Sequence, residues 1–190
     1  MHKIQKVSQI FRFLFLAIMI LMPFFTISYW YTGNSIGLIV PASWTEFLQS
    51  QGCTLGHNSE LYVYTALTSG QKFFAFLTSL IPLSISLIIL YFLVKLFSLY
   101  ESLIIFTEKN VKLIRNIGYT ILFGEALHFI IYEPLFSLAV TFSNPPGQRM
   151  IKISIQGENI AWICAGFLLI LISWIMNEGR KLQEEQEHIV

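Results

Sequence analysis

Apolar residues in this chain gather into four runs, separated by segments that carry Gly, Pro, Asn and Gln. The runs extend from Phe13 to Tyr31, Phe73 to Val94, Ile117 to Phe142 and Ile160 to Met176. A bilayer's hydrocarbon core takes roughly 20 mostly apolar residues per helix, so each run predicts a transmembrane helix. The expected fold is an all-α membrane protein: a four-helix antiparallel transmembrane bundle with a small extracytoplasmic loop subdomain. Residues 1–190 form one four-span domain, in which residues 177–190 make a polar, helical cytoplasmic tail.

Charge sets the direction of the spans. Lys3, Lys6, Arg12, Lys95, Lys109, Lys112, Arg115, Arg180 and Lys181 fall at the N-terminus, between spans two and three, and in the tail. Lys72, Arg149 and Lys152 fall in the other two loops. The positive-inside rule then puts both termini in the cytoplasm. Tyr29, Trp30 and Tyr31 close span one, and Trp162 and Trp174 bracket span four, where interfacial aromatic belts belong. The basic residues before span one also fit a secretory signal, but the run is too long and has no small-residue cleavage site. An uncleaved anchor is the expectation.

Composition narrows the chemistry. Of the 190 residues, 55% are hydrophobic and only 12% charged, against about a quarter charged in soluble domains. A net charge of +1 provides no basic face for nucleic acid. Every acid is a Glu, which removes Asp-based metal and phosphoryl-transfer motifs. Cys53 and Cys164 are the only cysteines, too few for a disulfide framework or zinc ribbon. No Gly-rich phosphate loop or nucleophile elbow is present, so no enzyme and no cofactor are expected.

Two cytoplasmic stretches have patterns of their own. Thr107 is placed to cap a helix, Phe106 and Val111 occupy the positions of a hydrophobic staple, and Glu108 suits the helix's positive end. In the tail, Arg180 with Glu184 and Lys181 with Glu185 have i,i+4 spacing. The stretches Phe-Thr-Glu-Lys-Asn-Val-Lys-Leu-Ile-Arg-Asn-Ile-Gly-Tyr (106–119) and Asn-Glu-Gly-Arg-Lys-Leu-Gln-Glu-Glu-Gln-Glu (177–187) resemble the paired motifs of a bacterial membrane family, the domain-of-unknown-function family 2975. The resemblance covers spans two to four and is looser over span one. It implies a bacterial inner-membrane protein without an assigned activity. It also implies a small cytoplasmic helix-turn-helix regulator as a partner, since members are often encoded beside one.

The outer segments predict local structure. Ser43-Trp-Thr-Glu46 is a capping-box pattern for a short interfacial helix. Ile151, Ile153 and Ile155 alternate with Lys152 and Ser154 as in a strand, and Ile36 to Val40 offers a pairing partner. Cys53 lies outside and Cys164 about a turn inside span four, so a disulfide between them is one expectation and two free thiols the other.

Span three holds Glu125, His128 and Glu133. Ionisable residues inside a span cost about 2.5–3.5 kcal/mol on insertion scales and point by default to function. At 1.5 Å per residue from Ile117, Glu125 and His128 lie roughly 12–17 Å deep, near the midplane. Glu133, before Pro134, is expected to reach water. Depth counting brings Ser84 and Ser86 of span two to the level of Glu125 and His128, which predicts a buried polar site of these four residues.

Three readings of that site stand open: a Glu–His hydrogen bond that fixes packing, a pocket that handles protons or a solute, and a metal site. The di-metal version needs a second Glu-x-x-His motif and two further Glu from other helices, which spans one, two and four do not offer. Two functions follow. One is a non-enzymatic membrane sensor or scaffold acting with a cytoplasmic regulator. The other is a small carrier, which with four spans would require a homo-oligomer.

The topology has a direct check. In a background lacking Cys53 and Cys164, Gln5→Cys, Ile105→Cys and Gln186→Cys are expected to resist an impermeant thiol reagent in intact cells. Leu55→Cys and Gln148→Cys are expected to react. Labelling of Gln186→Cys from outside would reverse the assignment of the tail.

Overall fold

The computed structural model describes residues 2–32, 68–103, 107–142, 149, 151, 153, 155 and 157–187. Within them every regular element is helical. Helix α1 is His2–Thr32 and α2 is Ser69–Glu101; α3, Glu108–Leu127, passes through a π-helical turn, His128–Tyr132, into α4, Glu133–Thr141; α5 is Gly157–Glu187. Lys3–Ser28, Ser69–Glu101, Glu108–Ala139 and Gly157–Gln186 are each long and apolar enough to cross a membrane. The architecture is that of a multi-pass membrane protein. Helices are what lipid demands, because backbone groups find no partner there outside their own segment. Hydroxyls obey the same demand: Thr26, Thr78, Ser79, Thr120, Thr141 and Ser173 each donate to a carbonyl three or four residues back in their own helix.

The helices pack in a row, α1 on α2, α2 on α3 and α4, and α3 on α5. Large side chains such as Ile20, Phe24 and Ile130 lie open on the outside, as a lipid-facing surface requires. The buried core is Leu96, Ile114, Ile117 and Ile121, with Ile89, Phe92 and Leu93 packed against it. The Phe11 and Phe15 rings pack at a tilt against Phe97, and the Arg12 Nη1 donates to Glu101 Oε2 at 2.7 Å, so the start of α1 lies beside the end of α2. At the other end Trp30 Nε1 donates to Ser79 Oγ at 3.1 Å.

Several local expectations change. Thr107 does stand at the start of α3, with extended backbone (φ −128°, ψ 158°), but its hydroxyl makes no capping bond. The Thr107 carbonyl instead accepts from the N–H groups of Asn110 and Val111. Phe106, and with it the staple, lies outside the described residues. A reciprocal capping box forms at Thr68 and Gln71, where sequence reasoning had not placed one. The Ser43–Glu46 box, the Ile36–Val40 segment and Cys53 also lie outside the described residues. Ile151, Ile153 and Ile155 are exposed and form no strand, and Cys164 is a free thiol. In the tail Arg180 pairs with Glu184, whereas Lys181 Nζ reaches back to Glu178 at 2.8 Å rather than forward to Glu185. Acid before base is the better order on a helix, which explains that choice.

Two glycines bring the backbones of α3 and α5 close together. A Cβ built on Gly118 would lie 2.8 Å from the Gly166 carbonyl oxygen, and one on Gly166 would lie 2.9 Å from the Leu122 side chain. Backbone cannot swing aside as a side chain can. Gly118→Ala is therefore expected to part the two helices and cost about 1–3 kcal/mol, the usual effect of overpacking, read as a lower thermal midpoint in detergent. Gly124→Ala is expected to cost a similar amount, because its Cβ would lie 2.6 Å from Cγ2 of Ile85, a β-branched side chain with little χ1 freedom in a helix.

Candidate functional site

Glu125, His128 and Ser86 do come together. They line a cavity of about 280 Å³ between α2, α3 and α5, with Ile85, Gly124, Tyr132 and Trp162 among its other walls. Ser84 does not take part: it is exposed, and its hydroxyl donates to the Ile81 carbonyl at 2.7 Å. Residues two apart on a helix point in nearly opposite directions, so Ser84 and Ser86 cannot share a pocket. Ser86 spends its own proton on the Pro82 carbonyl at 2.9 Å.

No hydrogen bond joins Glu125 to His128. The Glu125 Oε2 accepts instead from Nδ2 of Asn159, at 2.9 Å, in the first turn of α5. Asn159 sits outside the apolar run of span four, and nothing in the spacing ties it to Glu125. The bond places Glu125 level with the first turn of α5, while on α2 the same level is Ile85 and Ser86, midway along Ser69–Glu101.

His128 opens the π turn. The Glu133 N–H reaches five residues back to the His128 carbonyl. Pro134 follows at once; it has no N–H to give the carbonyl one turn earlier, and its ring crowds that turn. Such widened turns recur at functional sites. The His128 ring lies against Tyr132, centroids 5.0 Å apart, and its Nδ1 is buried without a hydrogen-bond partner. Glu133 is only 3% exposed, contrary to the expectation that it reaches water.

Among the described residues no three of His, Cys and Glu converge as a metal site would require. A larger cleft of about 580 Å³, between α2 and α4, is walled by apolar side chains with Gln71 and Thr78 and holds no ionisable group. Glu125, His128 and Tyr132 are the ionisable residues that line the smaller cavity.

Residues 52–190 match the family described as "Protein of unknown function (DUF2975)". The chain belongs to this family. The DUF2975 match takes in α2 to α5 and every residue of the Glu125 cavity, while α1 lies before it. No curated protein and no solved structure matches the chain.

Gln at position 125 keeps an oxygen to accept from Asn159, whereas Leu leaves none. Glu125→Gln is expected to retain the thermal midpoint. Glu125→Leu is expected to lose about 1 kcal/mol, the cost of removing a partly buried hydrogen bond. Equal losses for both would mean that the Asn159 bond does not hold α3 to α5.

Proposed function

We propose that this chain is a non-enzymatic sensor of the bacterial inner membrane, an antiparallel bundle with both termini in the cytoplasm. Its input is a proton or small ligand at the Glu125 cavity, and its output is the cytoplasmic start of α3, read by a regulator. One observation carries this reading: a carboxylate held by a neutral amide shares a cavity with an imidazole whose Nδ1 has no partner. The titratable groups in its walls are Glu125, His128 and Tyr132; α2 and α5 bring only apolar side chains, Ser86 and Trp162 to the lining. The Lys and Arg distribution supports the orientation.

The route to the cytoplasm is short. Helix α3 runs without a break from Glu108 to Leu127, so whatever moves Glu125 bears on Lys109, Lys112 and Arg115. Hydrogen exchange of residues 107–116 in nanodiscs provides the test. Protection is expected to differ between pH 5.5 and pH 7.5 in the wild type and to stop differing in Glu125→Gln. An unchanged difference in Glu125→Gln would detach the cavity from the output. Proton or solute flux in proteoliposomes, abolished by Glu125→Gln, would replace the sensor with the carrier.

A further inference from the structure

We infer that the Glu125 cavity binds a small organic cation, an ammonium with apolar substituents; this deepens the sensor reading above and names its ligand. The first ground is charge. Glu125 is partly buried inside a membrane span, its hydrogen-bond partner is neutral, and no Lys or Arg lines the cavity. A carboxylate in such surroundings draws a cation, because desolvation without a counter-charge is expensive. The start of α5 supplies only the partial charge of a helix end, too little to neutralise it.

The second ground is the wall. Ile81, Ile85, Ile89 and Ile121 are apolar, and Trp162, Tyr132 and His128 present rings. A bare metal ion finds too few ligands among the described residues. An alkylammonium instead places its charge by Glu125, its charge face on Trp162 and Tyr132, and its substituents on the isoleucines. Aromatic rings attract cations most when water is excluded, which is the condition inside a span. At about 280 Å³ the cavity lies near the lower end of small-molecule sites, roughly 300–1,000 Å³, so the ligand is small.

The test uses the full chain in phosphatidylcholine nanodiscs at pH 8, with labelled benzyltrimethylammonium as the probe in equilibrium dialysis and benzyl alcohol as its uncharged counterpart. Saturable binding of the cation, not displaced by benzyl alcohol, is expected. Glu125→Gln is expected to raise Kd by about tenfold or more, corresponding to ~1.4 kcal/mol, and Trp162→Leu severalfold. Ser84→Ala, outside the cavity, is expected to leave Kd unchanged. Thermal midpoints of all variants show which of them are folded, and Glu125→Gln is the conservative one. Absence of saturable binding, or binding equal in wild type and a folded Glu125→Gln, overturns the ligand assignment. If that happens while residues 107–116 still respond to Glu125, the sensor reading stands with the proton as its input. Saturable, Glu125-dependent binding without any change in those residues establishes the ligand and removes the sensor.

Discussion

Gly118 and Gly166 bring α3 and α5 close enough for the Gly166 carbonyl to lie 2.8 Å from where a Cβ on Gly118 would stand. In lipid this kind of contact has unusual weight, since tails are as apolar as leucine and helices associate through close packing rather than through exclusion of water. Once the two backbones meet there, the register of α5 along α3 has little freedom. Two turns further along α3, that register sets Asn159 opposite Glu125. The polar site is therefore a consequence of an apolar contact, and Gly118 belongs to the 106–119 stretch whose family pattern is legible in the sequence. The motif holds the helix pair in place, rather than forming a cap at Thr107, whose hydroxyl is idle.

The spans were readable because hydropathy over 20 residues is a property of each segment alone. The first, second and fourth predicted runs fall inside single helices that extend further, α2 for 33 residues and α5 for 31, and the third passes through α3, the π turn and α4 to end one residue beyond it. Glu125 and His128 were readable for a similar reason: spacing of three residues puts both on one face whatever the neighbours do. Asn159 was not, because its pairing depends on the register between two helices, which no local pattern carries. Ser84 should have been separable from Ser86 by helical geometry, and depth counting alone hid that. The π turn left a trace in Pro134, but proline tells only that a turn is disturbed and not that it widens.

Burial of Glu133 was missed on a different ground. The expectation rested on its place near the end of a span, where a long acid usually finds water. The structure instead turns Glu133, Ser137 and Thr141, four residues apart each, to the inside of α4. A face with that spacing is polar and buried at once, so position along the helix axis was a poor guide to position around it. Hydropathy averages over the circumference and discards this information.

The π turn lies between these two polar faces, and its place has a mechanical meaning. On one side α3 is tied to α5 through glycine contact and through Glu125 and Asn159; on the other, α4 is packed on α2. The join between the two tethered halves is the π turn, where the Glu133 N–H reaches five residues back to the His128 carbonyl. His128 begins that stretch and faces the cavity. In the sensor reading proposed above, Glu125 stands between two differently tethered parts of the span, with α3 held to α5 on one side and, beyond the π turn, α4 packed on α2 on the other.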